Sequence, residues 1–153
     1  MWTNVLLGLI VPWVIAAFFI KNNQLILATI YPFVSMLAFT FDILFVNLRF
    51  YEVEPGLEHG LVVSIPFNLG IFPVAGFLLL VLIHRFNRDF LIILLAAAFM
   101  TALEWIGVAA NNVHYHHGWN IGWTYLSYFA FMWMTNGYDK WLSRLWKKRT
   151  ANC

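Results

Sequence analysis

FLIILLAAAFMTALEWIGVAANNVHYHHGWNIGW, residues 90–123, decides what kind of molecule this is. It opens as an apolar helix carrying one carboxylate, Glu104, continues through a short segment with His114, His116 and His117, and ends at the start of another apolar helix. A carboxylate two-thirds of the way along a membrane-length helix is costly there, and such residues have a task or a partner. Glu104 is therefore the first residue to explain.

Composition agrees with the membrane reading. Of 153 residues, 62% are hydrophobic and 10% charged, against about 45–50% apolar and about 25% charged in an ordinary globular domain. Nineteen per cent are aromatic, including 8 Trp, which suits rings at both membrane interfaces. The lone cysteine, Cys153, excludes an internal disulfide framework and a cysteine metal site.

Working outward, hydropathy divides the chain into five spans, 2–20, 24–48, 61–83, 90–111 and 121–138, each near the length that a hydrocarbon core of about 30 Å requires. The first has no positive leader and no small-residue cleavage site before Lys21, so it reads as a retained helix. Eight of the nine Lys and Arg residues fall in the first and third loops and the tail, leaving Arg49 alone on the other side. By the positive-inside rule the N-terminus faces out and the C-terminus faces the cytoplasm. The expected fold is an all-α bundle of five transmembrane helices over 1–138, followed by a basic amphipathic cytoplasmic tail, 139–153, in which Trp141, Leu145 and Trp146 sit among cations and anchor on anionic lipid. So short a basic run gives no reason to expect nucleic acid.

Pro12, Pro32, Pro66 and Pro73 interrupt the first three spans. Each removes a backbone donor, which a membrane helix tolerates when neighbours satisfy the freed carbonyl. The third span, SIPFNLGIFPVAGF, adds Gly70 and Gly76 and is expected to be kinked or partly unwound and closely packed.

Polar groups recur at one depth. Asp42 lies six residues before Leu48, Asn68 seven after Leu61, Glu104 seven before Asn111, and Ser127 and Tyr128 six and seven after Ile121. At 1.5 Å rise per residue, all sit about 10 Å below the outer surface. Ser35 with Asp42, Ser64 with Asn68, Thr101 with Glu104, and Glu104 with Asn111 share helix stripes. The inference is an outward-facing polar pocket walled by Phe39, Phe67, Trp105, Trp123 and Tyr128. There Asp42 and Glu104 have three possible roles: an acid/base pair, since neighbouring buried carboxylates share a proton; a cation site; or hydrogen-bonded glue between helices.

The histidines, with Glu52, Glu54, Glu58 and His59 of the other outer loop, offer ligands that suit a divalent metal. Their spacing matches no sharp zinc signature, and a solvated interfacial cluster is the competing reading. His84 lies at the inner end, which disfavours a buried bis-histidine haem. No Gly-rich phosphate loop, GxSxG elbow, HExxH pair or CxxC is present. No lysine lies within a span, which excludes a retinal Schiff base. With five spans and no repeat, an alternating-access transporter would have to be an oligomer, so a homo-oligomer is one expected state.

SIPFNLGIFPVAGF after an acidic loop, GWNIGWTYLSYF, and NNQLILATIYPFVSMLAFTFD resemble a family of small uncharacterised multi-spanning membrane proteins of spore-forming Gram-positive bacteria. The resemblance covers most of the chain and implies a bacterial membrane location without an activity. ALEWIG, followed by an aromatic outer loop and another helix, is loosely similar to the carboxylate-bearing helices of integral-membrane terpene and lycopene cyclases. That likeness implies an acid role for Glu104 and Asp42. This chain has fewer helices and no paired-glutamate motif, so the likeness extends to the acids alone.

The resulting expectation is a cell-membrane protein whose pocket binds an amphipathic or isoprenoid-like lipid. Asp42 and Glu104 are the acids, Asn68 and Tyr128 orient them, Trp105 and Trp123 contact the ligand, and Asn111 and Ser127 complete the lining. Cyclase or isomerase chemistry is one extension. The alternative is a non-enzymatic assembly or sensory subunit whose buried polar groups specify helix packing.

Overall fold

The computed structural model describes residues 2–48, 50–53, 60–111 and 113–151. Arg49, Glu54, Glu58, His59, Asn112 and Cys153 lie outside the described residues, and with them part of the expected histidine and carboxylate cluster.

Among the described residues the chain forms six helices and one two-stranded sheet. The helices are α1 Trp2–Ile20, α2 Gln24–Asn47, α3 Gly60–Leu69, α4 Ile71–Phe86, α5 Asp89–Ala109 and α6 Ile121–Ala151. The strands are β1 Tyr51–Val53 and β2 Val113–Tyr115. The fold is thus almost entirely helical, as expected. By length and apolarity, four helical stretches can cross a membrane: Trp2–Ile20, Gln24–Phe45, Ser64–Phe86 and Asp89–Ala109. The expected fifth, at the start of α6, is not among them. Its bulk comes from Trp123, Tyr125, Tyr128 and Trp133 interleaved with Thr124, Ser127, Thr135 and Asn136, side chains with polar atoms. α6 also continues without a break from residue 138 into the basic tail.

α4 is the centre of the molecule. It packs on α1, α2, α5 and α6, and Val74, Phe77, Leu79, Leu80 and Ile83 are buried along it. In a bilayer such contacts act through packing rather than through exclusion of water, so close backbone approach matters. Gly76 permits one approach: a Cβ there would lie 3.0 Å from a Val34 methyl.

The break between α3 and α4 is where the sequence departs furthest from a plain helix. Gly70 interrupts the span at φ −119°, ψ −88°. A Cβ at Gly70 would lie 2.0 Å from the Gly8 carbonyl oxygen and 2.6 Å from the Leu9 Cα, so the two backbones touch. α1 meets this contact with a π-helical turn, Leu6–Ile10, closed by Val11 N–H bonding back to the Leu6 carbonyl. Such widened turns recur at special sites in helices. Pro12 adds to it, because its missing N–H leaves the Gly8 carbonyl without an ordinary helical donor.

Pro73 strips the Leu69 carbonyl of its donor in the same way, and that carbonyl is rescued by side chains. It accepts a hydrogen bond from Trp13 Nε1–H at 3.1 Å and another from the Tyr31 hydroxyl at 3.2 Å. One proline thereby ties α1, α2 and the break together, satisfying the backbone inside the protein as a membrane demands.

At one end of the bundle, segments expected to be outer loops form a small antiparallel sheet. Tyr51 pairs with Tyr115, Glu52 with His114 and Val53 with Val113, and His116 N–H extends the pairing to the Phe50 carbonyl at 2.9 Å. At the opposite end Asn87, in the left-handed conformation at φ 54°, closes α4 by donating its N–H to the Ile83 carbonyl at 2.7 Å. Asn is one of the few side chains that adopt that cap readily.

Candidate functional site

Glu104 sits on α5 under β2 and beside α6. Its Oε2 accepts a hydrogen bond from the Tyr128 hydroxyl at 2.6 Å, and its Oε1 accepts one from the Tyr115 hydroxyl at 2.7 Å. Thr124 Oγ1 lies 3.2 Å from Glu104 Oε1 and 3.1 Å from the Tyr115 oxygen, and it accepts Trp119 Nε1–H at 2.9 Å. Five side chains from three segments form one network.

Local sequence explains how these groups arrive. Thr124 and Tyr128 are four residues apart on α6 and so share a face. Asn120 caps that helix, its Oδ1 accepting the N–H groups of Gly122 at 2.9 Å and Trp123 at 3.3 Å. His117 and Gly118, both left-handed at φ 52° and 79°, turn the chain from β2 back to α6. Trp119 is held between the rings of Phe45 and Phe50, with centroids 5.0 and 4.9 Å away. Tyr115 is placed by the register of β2 on β1. Burial pushes its phenol well above the usual range; the Thr124 hydrogen bond opposes that rise and Glu104 reinforces it.

Asp42 belongs to a second cluster. Asn68 Nδ2 donates to Asp42 Oδ2 at 2.9 Å and lies 3.4 Å from Ser64 Oγ, and all three residues are buried. The Asn68 Oδ1 and Ser35 Oγ atoms are buried without a partner in the structure. Among the described hydrogen bonds, Tyr128 donates to Glu104 and Asn68 donates to Asp42.

Trp105 and Trp123 are 65% and 54% exposed. Each is adjacent in sequence to a network residue, Glu104 or Thr124, and one step along a helix turns a side chain by about 100°. They face the surroundings rather than the site, as interfacial rings do. Asn111 is exposed and left-handed at φ 56°, just beyond the end of α5. Ser127 hydrogen-bonds the Trp123 carbonyl of its own helix at 2.9 Å. His114, His116 and His117 are exposed on β2 and the turn after it. Among the described residues, no three His, Cys, Asp or Glu side chains are grouped so as to hold a metal ion.

Two features had not been anticipated. At the end away from the sheet Lys140 pairs with Asp89, Asn136 Nδ2 lies 3.4 Å from Asp89, and His84 Nε2 lies 2.9 Å from Asp139 Oδ2. These contacts tie α6 to the turn between α4 and α5. A groove of about 290 Å³ between α1 and α2 is lined by Trp13, Ile20, Gln24, Leu27, Ala28, Tyr31 and Pro32, far in sequence from either carboxylate cluster. Comparison with known protein families, curated proteins and solved structures finds no match to this chain.

Proposed function

We propose that the protein is a five-span subunit of the bacterial cytoplasmic membrane, with its N-terminus outside and its C-terminus inside. Its role is assembly or sensing rather than catalysis, and its buried polar groups specify how the helices pack. The first part of α6 is the fifth span, buried on one face through Thr124, Phe131, Met132 and Thr135. The positive-inside count supports the orientation.

The observation that carries this reading is the occupancy of Glu104. Both carboxylate oxygens accept hydroxyls of the protein itself, so a substrate seeking a proton or a hydrogen bond there must first displace Tyr115 or Tyr128. A carboxylate so engaged holds β2, α5 and α6 in one arrangement. Acid-catalysed chemistry on an isoprenoid is the less supported reading for the same reason.

Glu104→Gln tests it. Replacing the carboxyl by an amide turns one oxygen into a donor facing hydroxyls and leaves a polar group unsatisfied at a cost of about 1–3 kcal/mol, so the variant is expected to lose roughly 2 kcal/mol in a mixed-micelle unfolding titration. A variant as stable as the parent that has lost a lipid-dependent stabilisation would overturn the packing reading in favour of a ligand site. A second reading, lipid binding at a different place, is favoured by the groove between α1 and α2.

A further inference from the structure

α1 and α2 are joined by a turn of three residues, Lys21–Asn23, and meet through Trp13 and Tyr31, while the backbone of each packs on α4. The wedge left between them is the groove lined by Trp13, Leu27, Ala28, Tyr31 and Pro32, with Ile20 and Gln24 towards the turn. We infer that this groove holds one acyl chain of an anionic phospholipid of the cytoplasmic leaflet, with its headgroup at Lys21. The inference rests on the membrane orientation proposed above and is independent of what Glu104 does.

The chemistry of the lining selects a hydrocarbon. Trp13 and Tyr31, with ring centroids 5.4 Å apart, direct their N–H and O–H to the Leu69 carbonyl. Their polar atoms are thus spent within the protein, and their ring faces remain for an apolar occupant. Ala28 is the smallest side chain of the lining and makes the room. A lipid chain laid in the groove gains contacts with several side chains at once.

The mouth selects the headgroup. Gln24 lies at the end of the groove nearest the turn, and Lys21 and Asn22 are exposed on that turn. Lys21 is the only Lys or Arg in residues 1–48, so a headgroup drawn to this corner meets an unopposed positive charge. A single lysine at an anionic surface corresponds to a preference of about fivefold.

The test is native mass spectrometry of the full chain, delipidated in mild detergent and titrated with phosphatidylglycerol or phosphatidylcholine. One bound lipid per protein is expected, retained about fivefold more for phosphatidylglycerol. Lys21→Gln should remove that preference and keep the adduct, whereas Ala28→Phe should abolish both adducts by filling the groove. Undiminished binding to Ala28→Phe would overturn the site, and an unchanged headgroup preference in Lys21→Gln would overturn its polar end.

Photolabelling of the unmutated protein by phosphatidylglycerol carrying a diazirine in its acyl chain reads the same site without a substitution. Labels within residues 13–32 are expected, and labels confined to other spans refute the proposal. A protein dimer broken by Ala28→Phe, with no lipid bound to either form, would assign the groove to a second copy of the chain instead. Glu104→Gln should leave all these readouts unchanged, so failure here and failure of the packing reading are distinguishable.

Discussion

The two ends of the bundle solve the same problem with different chemistry. At the end that carries the sheet, the outer one in the proposed orientation, Glu104 is half-buried and accepts the hydroxyls of Tyr115, Thr124 and Tyr128. At the opposite end, Asp89 and Asp139 face Lys140 and His84, whose side chains are 52% and 46% exposed. An exposed charged partner is easily hydrated, and the pair is screened and weak. A half-buried carboxylate with hydroxyl donors brings no second charge between the helices. The outer half should therefore be specific and intolerant, and the inner end forgiving.

Gly70→Ala presses hardest on that contrast. Its Cβ would lie 2.0 Å from backbone rather than from a flexible side-chain tip, so the expected loss exceeds about 4 kcal/mol, the range of exceptional core disruptions. Near-normal yield and melting temperature for this variant would show that the outer half yields more than proposed. Tyr128→Phe removes the shortest bond to Glu104 and should cost about 1–2 kcal/mol. A double-mutant cycle with Glu104→Gln should show clear coupling; additive losses would mean that the two side chains do not act together.

Tyr115 sharpens the comparison through pH. Its phenol is raised by burial, so its neutral form is favoured in the folded protein. That stabilising contribution is whole below the unfolded value of about 10 and is lost as pH rises through the folded one. Melting temperature is thus expected to fall above about pH 10, with a shallower fall in Tyr115→Phe; parallel profiles would remove Tyr115 from the network. The smallest effect belongs to the inner end. Lys140→Gln should cost less than about 1 kcal/mol and should cost still less at high salt. A larger, salt-independent loss would erase the distinction between the ends.

Much of this was readable in the residues themselves. Apolar length located four helical stretches able to cross a membrane, although the expected fifth span is not among them, and Pro66, Gly70 and Pro73 announced the break in the third. Counting residues inward from the outer surface brought Glu104 to Tyr128 and Asp42 to Asn68. What counting depth could not supply was rotation about each helix axis. It drew Trp105 and Trp123 into the lining although each follows or precedes a network residue by one step. Tyr115 was hidden for another reason: its position depends on pairing with Tyr51, two apolar spans earlier in the chain, and no local pattern reports that register. Thr124 was within reach, since it stands one turn before Tyr128 on the same face. The inner contacts of Asp89 and Asp139 were passed over because charges at helix ends usually read as solvated.

The hydrogen bond from Trp13 to the Leu69 carbonyl spans 56 positions in sequence, and this bears on how the protein is made. At a synthesis rate of about 5–20 residues per second, α1 waits several seconds before its acceptor exists. Throughout that interval the indole N–H has no Leu69 to meet, and the π-helical turn at Gly8 has no Gly70 to receive. α1 is thus made well before it can find its seat, and its docking reports that the break between α3 and α4 has formed.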